Sequence, residues 1–354
     1  MSGLLSGIVA LPLGYVMKYC YWLVADILRW PLSYVLALFL FTLITKVLMY
    51  PLMVRQQKSS AMMMAFNPMI QDIQRRYKNN PDKQNEEISK LTSEYGYNPA
   101  AGCLPMVINL IIMFGLVEVI YRPLTYMLTL PKTLVSELST RTIELLSQAG
   151  TTIQSNNRMI ETYIIEQVKT NFASFADLAA EYGTELTRIQ NLDMSIGSIN
   201  LWEKPELKIG LALLIPLFSI VTQLLSTFVS MKTTATGDGD VARQTTTMLW
   251  TTSLMFAVFS FTYPLGFSLY WGFQNLLNMV QSIFIRKKYD PEKIKEQVLE
   301  EMKQKKKEKN ARQKVAYMDK ETGETVEKEM SAGEADRLRL QRAREIDKQR
   351  YGDE

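Results

Sequence analysis

LFLFTLITKVLMYPLMV, residues 38–54, decides how this chain is read. With its neighbours the run is long and apolar enough to cross a bilayer, yet Lys46 stands near its middle. A lysine at the centre of a membrane helix costs about 2.5 to 3.5 kcal/mol on insertion scales, so such residues face a protein interior or a wet cavity. Helical spacing shows where this one points: Thr42, Lys46, Met49 and Met53 share one face.

Outward from that stretch, the 354 residues are 47% hydrophobic, and the apolar ones gather in blocks about 20 residues long, the pattern of a polytopic membrane protein. Five blocks qualify as spans: about 32–54, 103–121, 207–230, 247–263 and 266–285. Only Tyr263, Pro264 and Leu265 separate the last two, which predicts a tight helical hairpin. About half of all Lys and Arg follow Ile285, so the net charge of +4 conceals a strongly charged tail. Residues 55–102 are also basic (Arg55, Lys58, Arg75, Arg76, Lys78), whereas 123–204 is mildly acidic. The positive-inside bias places the basic segments in the cytoplasm, with the N-terminus outside and the C-terminus inside.

The expected fold class is an all-α polytopic membrane protein with five core transmembrane helices and a hydrophilic inner-leaflet groove. In chain order these are an interfacial N-terminal helix (1–30), a first transmembrane helix (31–54) and a cytoplasmic helical hairpin (55–102). A second transmembrane helix (103–122), an extracytoplasmic helical loop (123–206) and a third transmembrane helix (207–230) follow. A cytoplasmic loop (231–246), the hairpin of the fourth and fifth helices (247–286) and a charged cytoplasmic tail (287–354) complete the chain. For residues 1–30 the alternative is a further span from Leu4 to Leu28. Segments such as TRTIELLSQAG and ASFADLAAEYG predict solvent-facing helices in the outer loop, and the tail reads as part helix, part irregular.

Composition narrows the chemistry. The chain has no His, removing the commonest general base and metal ligand. Cys20 and Cys103 are far apart and lack metal-ligand spacing, and no glycine loop for phosphates is present, so no cofactor, metal or catalytic residue is expected. GDGD at 237–240 resembles an intramembrane protease motif but sits in a polar loop, and NNPDKQNEE lacks the spaced acids and glycine of a calcium loop.

Polar stripes recur inside the other spans. Ser219, Thr222, Gln223, Ser226 and Ser230 share a face; so do Trp271, Gln274, Asn275, Asn278 and Gln281, and the second span adds Asn109. Small polar residues also bond helix to helix within membranes. Lys46 has no acid in the facing spans except Glu118, near the outer end of its helix, so a hydrated groove suits it better than a dry bundle. The expected groove residues are Lys46, Thr42, Met49, Asn109, Gln223 and Trp271. Met62, Met63, Met64 and Met69 start the cytoplasmic hairpin with flexible thioethers suited to varied apolar partners.

These residues resemble the YidC-type membrane protein insertases and their mitochondrial and thylakoid relatives, over roughly residues 31–121 and 192–286. ITKVLMYPL is similar to the family's first core helix, with a basic residue five positions before a proline, and NPAAGCLPMVINLIIMFGL to the next. NLDMS resembles the segment before the third core helix, and YPLGFSLYWGFQNLLNMVQS the last hairpin. The resemblance implies an inner-leaflet groove whose basic residue attracts polar client segments. Arginine is usual there, and Lys46 keeps the charge without the bidentate fork. It further implies an insertase and chaperone in the bacterial plasma membrane that receives nascent membrane proteins, with a Sec-type translocon as a possible partner. Lys305, Lys306, Lys307 and Arg312 are the expected contacts to a ribosome or to the lipid bilayer. The rivals are a small-anion transporter using Lys46 and an assembly scaffold; neither the internal repeats nor the broken helices common in transporters are evident.

Overall fold

Helix α1 (Ser2–Trp22) opens the chain and runs into a π-helical turn, Leu23–Ile27. The computed structural model describes residues 2–94, 104–154, 157–206, 209–233, 240–310, 312–318, 325–331 and most of 334–344. The chain divides into two units, Met1–Asp290 and Pro291–Glu354.

In the first unit, α2 (Ser33–Arg76) is followed by α3 (Pro81–Glu94) and α4 (Leu104–Tyr121). Arg29 and Leu32 take left-handed backbone conformations in the turn before α2, and Ser33 Oγ donates to the Trp30 carbonyl across it. The first span and the first arm of the expected hairpin form one continuous helix, although Pro51 and Pro68 each remove an internal donor. At Asn79, Asn80 and Pro81 the chain turns, and α3 returns against α2.

The segment from α4 to the third span was expected to be solvent-facing helix, and half of that expectation is corrected. Helices α5 (Pro123–Tyr126), α6 (Lys132–Gln148), α7 (Ile160–Thr170) and α8 (Ala179–Asn191), with a 3-10 turn at Phe172–Leu178, pack around their own apolar core. Leu134 and Leu138, Ile164 and Val168, and Phe175, Leu186 and Ile189 are buried at helical spacing, and only the opposite faces meet water. The segments look polar in sequence because each buries one stripe alone. Within this unit Glu161 is buried and accepts from both the backbone N–H and the hydroxyl of Thr125 at 2.9 and 2.6 Å. Glu118, at the end of α4, pairs with Arg158 and, at 3.8 Å, with Arg122.

The NLDMS motif anchors the next step. Leu192 and Met194 are buried, and Tyr21 of α1 donates to the Asn191 carbonyl and accepts from the Asp193 N–H. A two-residue ribbon, Ser195–Ile196 with Ile199–Asn200, then presents the Leu201 and Glu203 carbonyls to the N–H groups of Gly266 and Leu265, at 2.6 and 2.8 Å. A Cβ at Gly266 would sit 3.1 Å from the Leu201 oxygen, so glycine permits this close docking.

Helices α9 (Leu214–Thr233), α10 (Asp240–Thr262) and α11 (Leu265–Lys288) complete the bundle. α11 packs most heavily on α9 and also meets α2, α4 and α10; α1 lies along α4 and α2. The chain is a helical membrane protein. Ile8–Ile27, Ser33–Met63 and Leu211–Met231 are each long and apolar enough to cross a membrane, and Val107–Tyr121 is a shorter apolar helix.

In the second unit α12 (Pro291–Asn310) is charged throughout, as expected of the tail. The ribbon β1 (Arg312–Met318) and β2 (Thr325–Ser331) was not expected: seven pairs run from Arg312 opposite Ser331 to Met318 opposite Thr325. KVAYM carries Val315 and Tyr317 at alternate positions and TVEKEM opens on Thr325 and Val326, a strand signal hidden by the charge around it.

Candidate functional site

A cavity of about 220 Å³ lies among α2, α4, α9, α10 and α11. α2 contributes Thr45, Lys46, Met49, Met53 and Gln56; α4 contributes Asn109; and α9 contributes Gln223, Ser226, Thr227 and Ser230. α10 adds Thr252 and Phe256, and α11 adds Trp271, Gln274, Asn275 and Asn278. The cavity is set toward the ends of the helices that join segments 55–102 and 231–246, away from the α5–α8 unit.

Amides dominate the polar lining. Trp271 donates its indole N–H to Gln223 Oε1 at 2.8 Å, and the Gln223 amide lies 3.2 and 3.3 Å from the Thr227 and Ser253 hydroxyls, themselves 2.7 Å apart. Gln274 donates to Asn109 Oδ1 at 2.6 Å. Gln274 Oε1 and Asn275 Nδ2 are buried with no hydrogen-bond partner among the described residues.

Lys46 is 9% exposed, and its ammonium donates to Asn278 Oδ1 at 3.3 Å. Among the described residues no Asp or Glu lines the cavity, and the partner of the Lys46 side chain is an amide oxygen rather than a carboxylate. Gln281 reaches the Lys46 carbonyl at 3.4 Å, beside the Val47 carbonyl that Pro51 deprives of its intrahelical donor.

Away from segments 55–102 and 231–246 the lining becomes aromatic. Phe256 stacks on Trp271 at 3.8 Å, Trp271 faces Phe267 at 6.1 Å, and Phe267, Tyr263 and Phe259 continue the series. Ser219 and Ser260 join α9 to α10 at 3.0 Å, and Ser268 donates to the Ser260 carbonyl. Tyr270 and Phe41 are fully buried on the α2 side.

Of the six expected groove residues, Lys46, Met49, Asn109, Gln223 and Trp271 line the cavity together. Thr42 does not; it is fully buried one turn higher and its hydroxyl is spent on the Leu38 carbonyl. Thr45 and Gln56 stand on the lining in its place, and α10 supplies Thr252 and Phe256, which no stripe had singled out. Their spacing of four was the available signal, hidden among the many threonines of α10. Met62 and Met63 are half-buried on α2 beyond the cavity, and Met69 is exposed. Lys307 is exposed on α12, whereas the side chains of Met64, Lys305, Lys306 and Arg312 lie outside the described residues, as do Cys103 and GDGD up to Gly239.

Fold and site together define a helical membrane protein whose bundle holds a lysine-bearing, amide-lined cavity in one half and an aromatic block beside it. The chain belongs to the family described as 60Kd inner membrane protein, whose pattern matches residues 25–295. This bears out the resemblance to YidC-type insertases. Relatives named membrane protein insertase YidC include that of Clostridium perfringens, 40% identical over 84 residues, which are 24% of this chain and 35% of that protein. The protein of Treponema denticola is 37% identical over 111 residues, 31% of this chain and 18% of its own length. That of Granulibacter bethesdensis is 34% identical over 110 residues, again 31% and 18%. The matched stretches thus span about a third or less of these relatives.

Proposed function

We propose that this protein is a membrane protein insertase and chaperone of the bacterial plasma membrane, working without covalent chemistry. The observation that carries the reading is the Lys46 ammonium held in a cavity lined by uncharged amides and hydroxyls from five helices. An ammonium has three donors and Asn278 takes one, which leaves capacity for water and for acidic or polar client segments. A hydrated positive pocket within the bilayer shortens the apolar path that such a segment must cross. The client's own span supplies the driving force, at about 25 cal/mol per Å² of apolar surface removed from water.

In this reading α2, α4, α9, α10 and α11 are the five core spans. α11 is less apolar because Gln274, Asn275 and Asn278 line the cavity, and α10 turns Thr252 toward it. The α2–α3 hairpin and the tail lie in the cytoplasm with the cavity in the inner leaflet, and the α5–α8 unit lies outside. The outward face of α1 carries Ile8, Leu11, Tyr15, Tyr19 and Trp22, all exposed and apolar or aromatic, where an interfacial helix needs a polar face. Val9 and Leu13 lie against Gly115, and Gly14 against Tyr126, so α1 advances in the same direction as α4. On this reading the start of α1 lies on the cytoplasmic side and α1 is a sixth span. The aromatic block seals the cavity on the outer side. The methionines of α2 receive clients first, and the tail holds a ribosome, co-translationally and with or without a Sec-type translocon.

The test uses purified protein in vesicles and clients with acidic outer segments. Lys46→Ala is expected to lower insertion at least several-fold and Lys46→Arg to retain it. Equal insertion by all three proteins overturns the charge-attraction reading; loss of anion flux with unchanged insertion favours a transporter.

A further inference from the structure

Where α11 ends, two ammonium groups from different helices converge on one ring. Lys58 Nζ of α2 lies 5.3 Å from the Tyr289 ring centroid, and Lys288 Nζ lies 5.7 Å from the same centroid. Arg55 is exposed one turn before Lys58 on the same face of α2, and Lys287 is exposed beside Lys288. Among the described ion pairs none takes Arg55, Lys58, Lys287 or Lys288, although Asp290 follows at the same helix end. Four cations thus gather beside Asp290 at this helix end, and the ring holds two of them by cation–π attraction.

The surface leading into the membrane from this cluster is apolar. Phe284 precedes Lys288 by four residues and is 71% exposed, and Leu48 precedes Arg55 by seven and is 71% exposed. Each helix therefore carries, on one face, a bare apolar side chain at membrane depth and a cation one or two turns further out. Phe284 and Leu48 thus offer apolar surface to an acyl chain below the cations that would meet its phosphate.

We propose that the α2–α11 junction at Lys58, Lys288 and Tyr289 is a binding site for an anionic phospholipid. Free phosphate lacks the acyl chains that the apolar surface below the cluster fits, and a zwitterionic lipid carries its own ammonium to the basic cluster. Anchoring at this junction ties α2 at Lys58 to the end of α11, in the inner leaflet on the proposed topology; these two helices carry Lys46 and its acceptor Asn278.

The full chain in detergent is titrated with dioleoyl phosphatidylglycerol, dioleoyl phosphatidylcholine, glycerol phosphate and a ribosomal RNA fragment, with bound species counted by native mass spectrometry. Phosphatidylglycerol is expected to bind, and Lys58→Gln/Lys288→Gln to weaken it on the order of tenfold at an unchanged melting temperature. Tyr289→Phe is expected to keep the affinity and Tyr289→Leu to lower it. Equal phosphatidylglycerol affinity in the double variant overturns the proposal, as does equal binding of phosphatidylcholine. Glycerol phosphate binding as tightly as the lipid overturns it in favour of a free-phosphate site. Loss of RNA binding alone in the double variant overturns it in favour of a nucleic-acid contact.

Discussion

Lys46 and Glu161 are both ionisable side chains taken out of water, and the protein handles them differently. Lys46 faces a cavity and donates to one amide oxygen. Glu161 is enclosed by the α5–α7 contact, and burial pushes its carboxyl above the usual range despite the opposing hydrogen bonds from Thr125 and the nearby Arg122. A raised acid binds its proton more tightly folded than unfolded, so it favours the fold at low pH, and that contribution is lost as pH rises through the folded value. Thermal stability of the wild type is therefore expected to fall more steeply from about pH 4.5 upward than that of Glu161→Gln, read by melting in detergent. Parallel curves refute this assignment. Trp271 makes a second prediction at this scale, since it lines the cavity, stacks on Phe256 and donates to the Gln223 amide, the place of the proposed outer seal. Trp271→Ala is expected to raise leakage of a small anionic dye from protein-containing vesicles several-fold, and unchanged leakage removes the seal from this residue.

Helix pairs in a membrane gain little from the hydrophobic effect, so close approach of backbones matters more than in water. Gly272 lets α11 press against α9, with the Phe218 ring standing where a Cβ would be. Gly272→Leu is expected to lower stability by about 1 to 3 kcal/mol, the usual cost of overpacking, with Gly272→Ala between it and the wild type on melting in detergent. The same device binds α1, whose Gly14 meets the Tyr126 backbone while Val9 and Leu13 cover Gly115. In a variant lacking Cys20 and Cys103, a cysteine placed by Ser2→Cys is expected to react with an impermeant maleimide from the same side as one placed by Lys90→Cys on α3. Reaction from opposite sides leaves α1 at the outer interface. Sequence suggested both possibilities for α1, because its apolar residues occupy every face and only packing tells a lipid-facing side from a buried one.

For the molecule as a whole, removal of the second unit from Pro291 is expected to weaken ribosome co-sedimentation at moderate salt while sparing insertion of short clients in pure vesicles. Equal co-sedimentation assigns ribosome contact elsewhere. The helical membrane class, the hairpin before YPLG, the turn at NNPD and the family were legible from residue order, because apolar block length, turn residues and charge asymmetry are local properties. Five of the six residues expected together line one cavity for a related reason: a polar side chain amid apolar ones marks the inward face of its own helix. Thr42 failed because periodicity gives direction and not depth, and depth decides whether a hydroxyl meets a cavity or its own backbone. The shape of the cavity, its aromatic block, the packed core of the α5–α8 unit and the junction at Tyr289 arise only from tertiary structure. Each brings together residues up to about 230 positions apart, as Lys46 and Asn278 do, and no local pattern encodes which distant helix a face will meet. By itself, then, the sequence determined which side chains had to leave lipid; the packing decided which of them share one space.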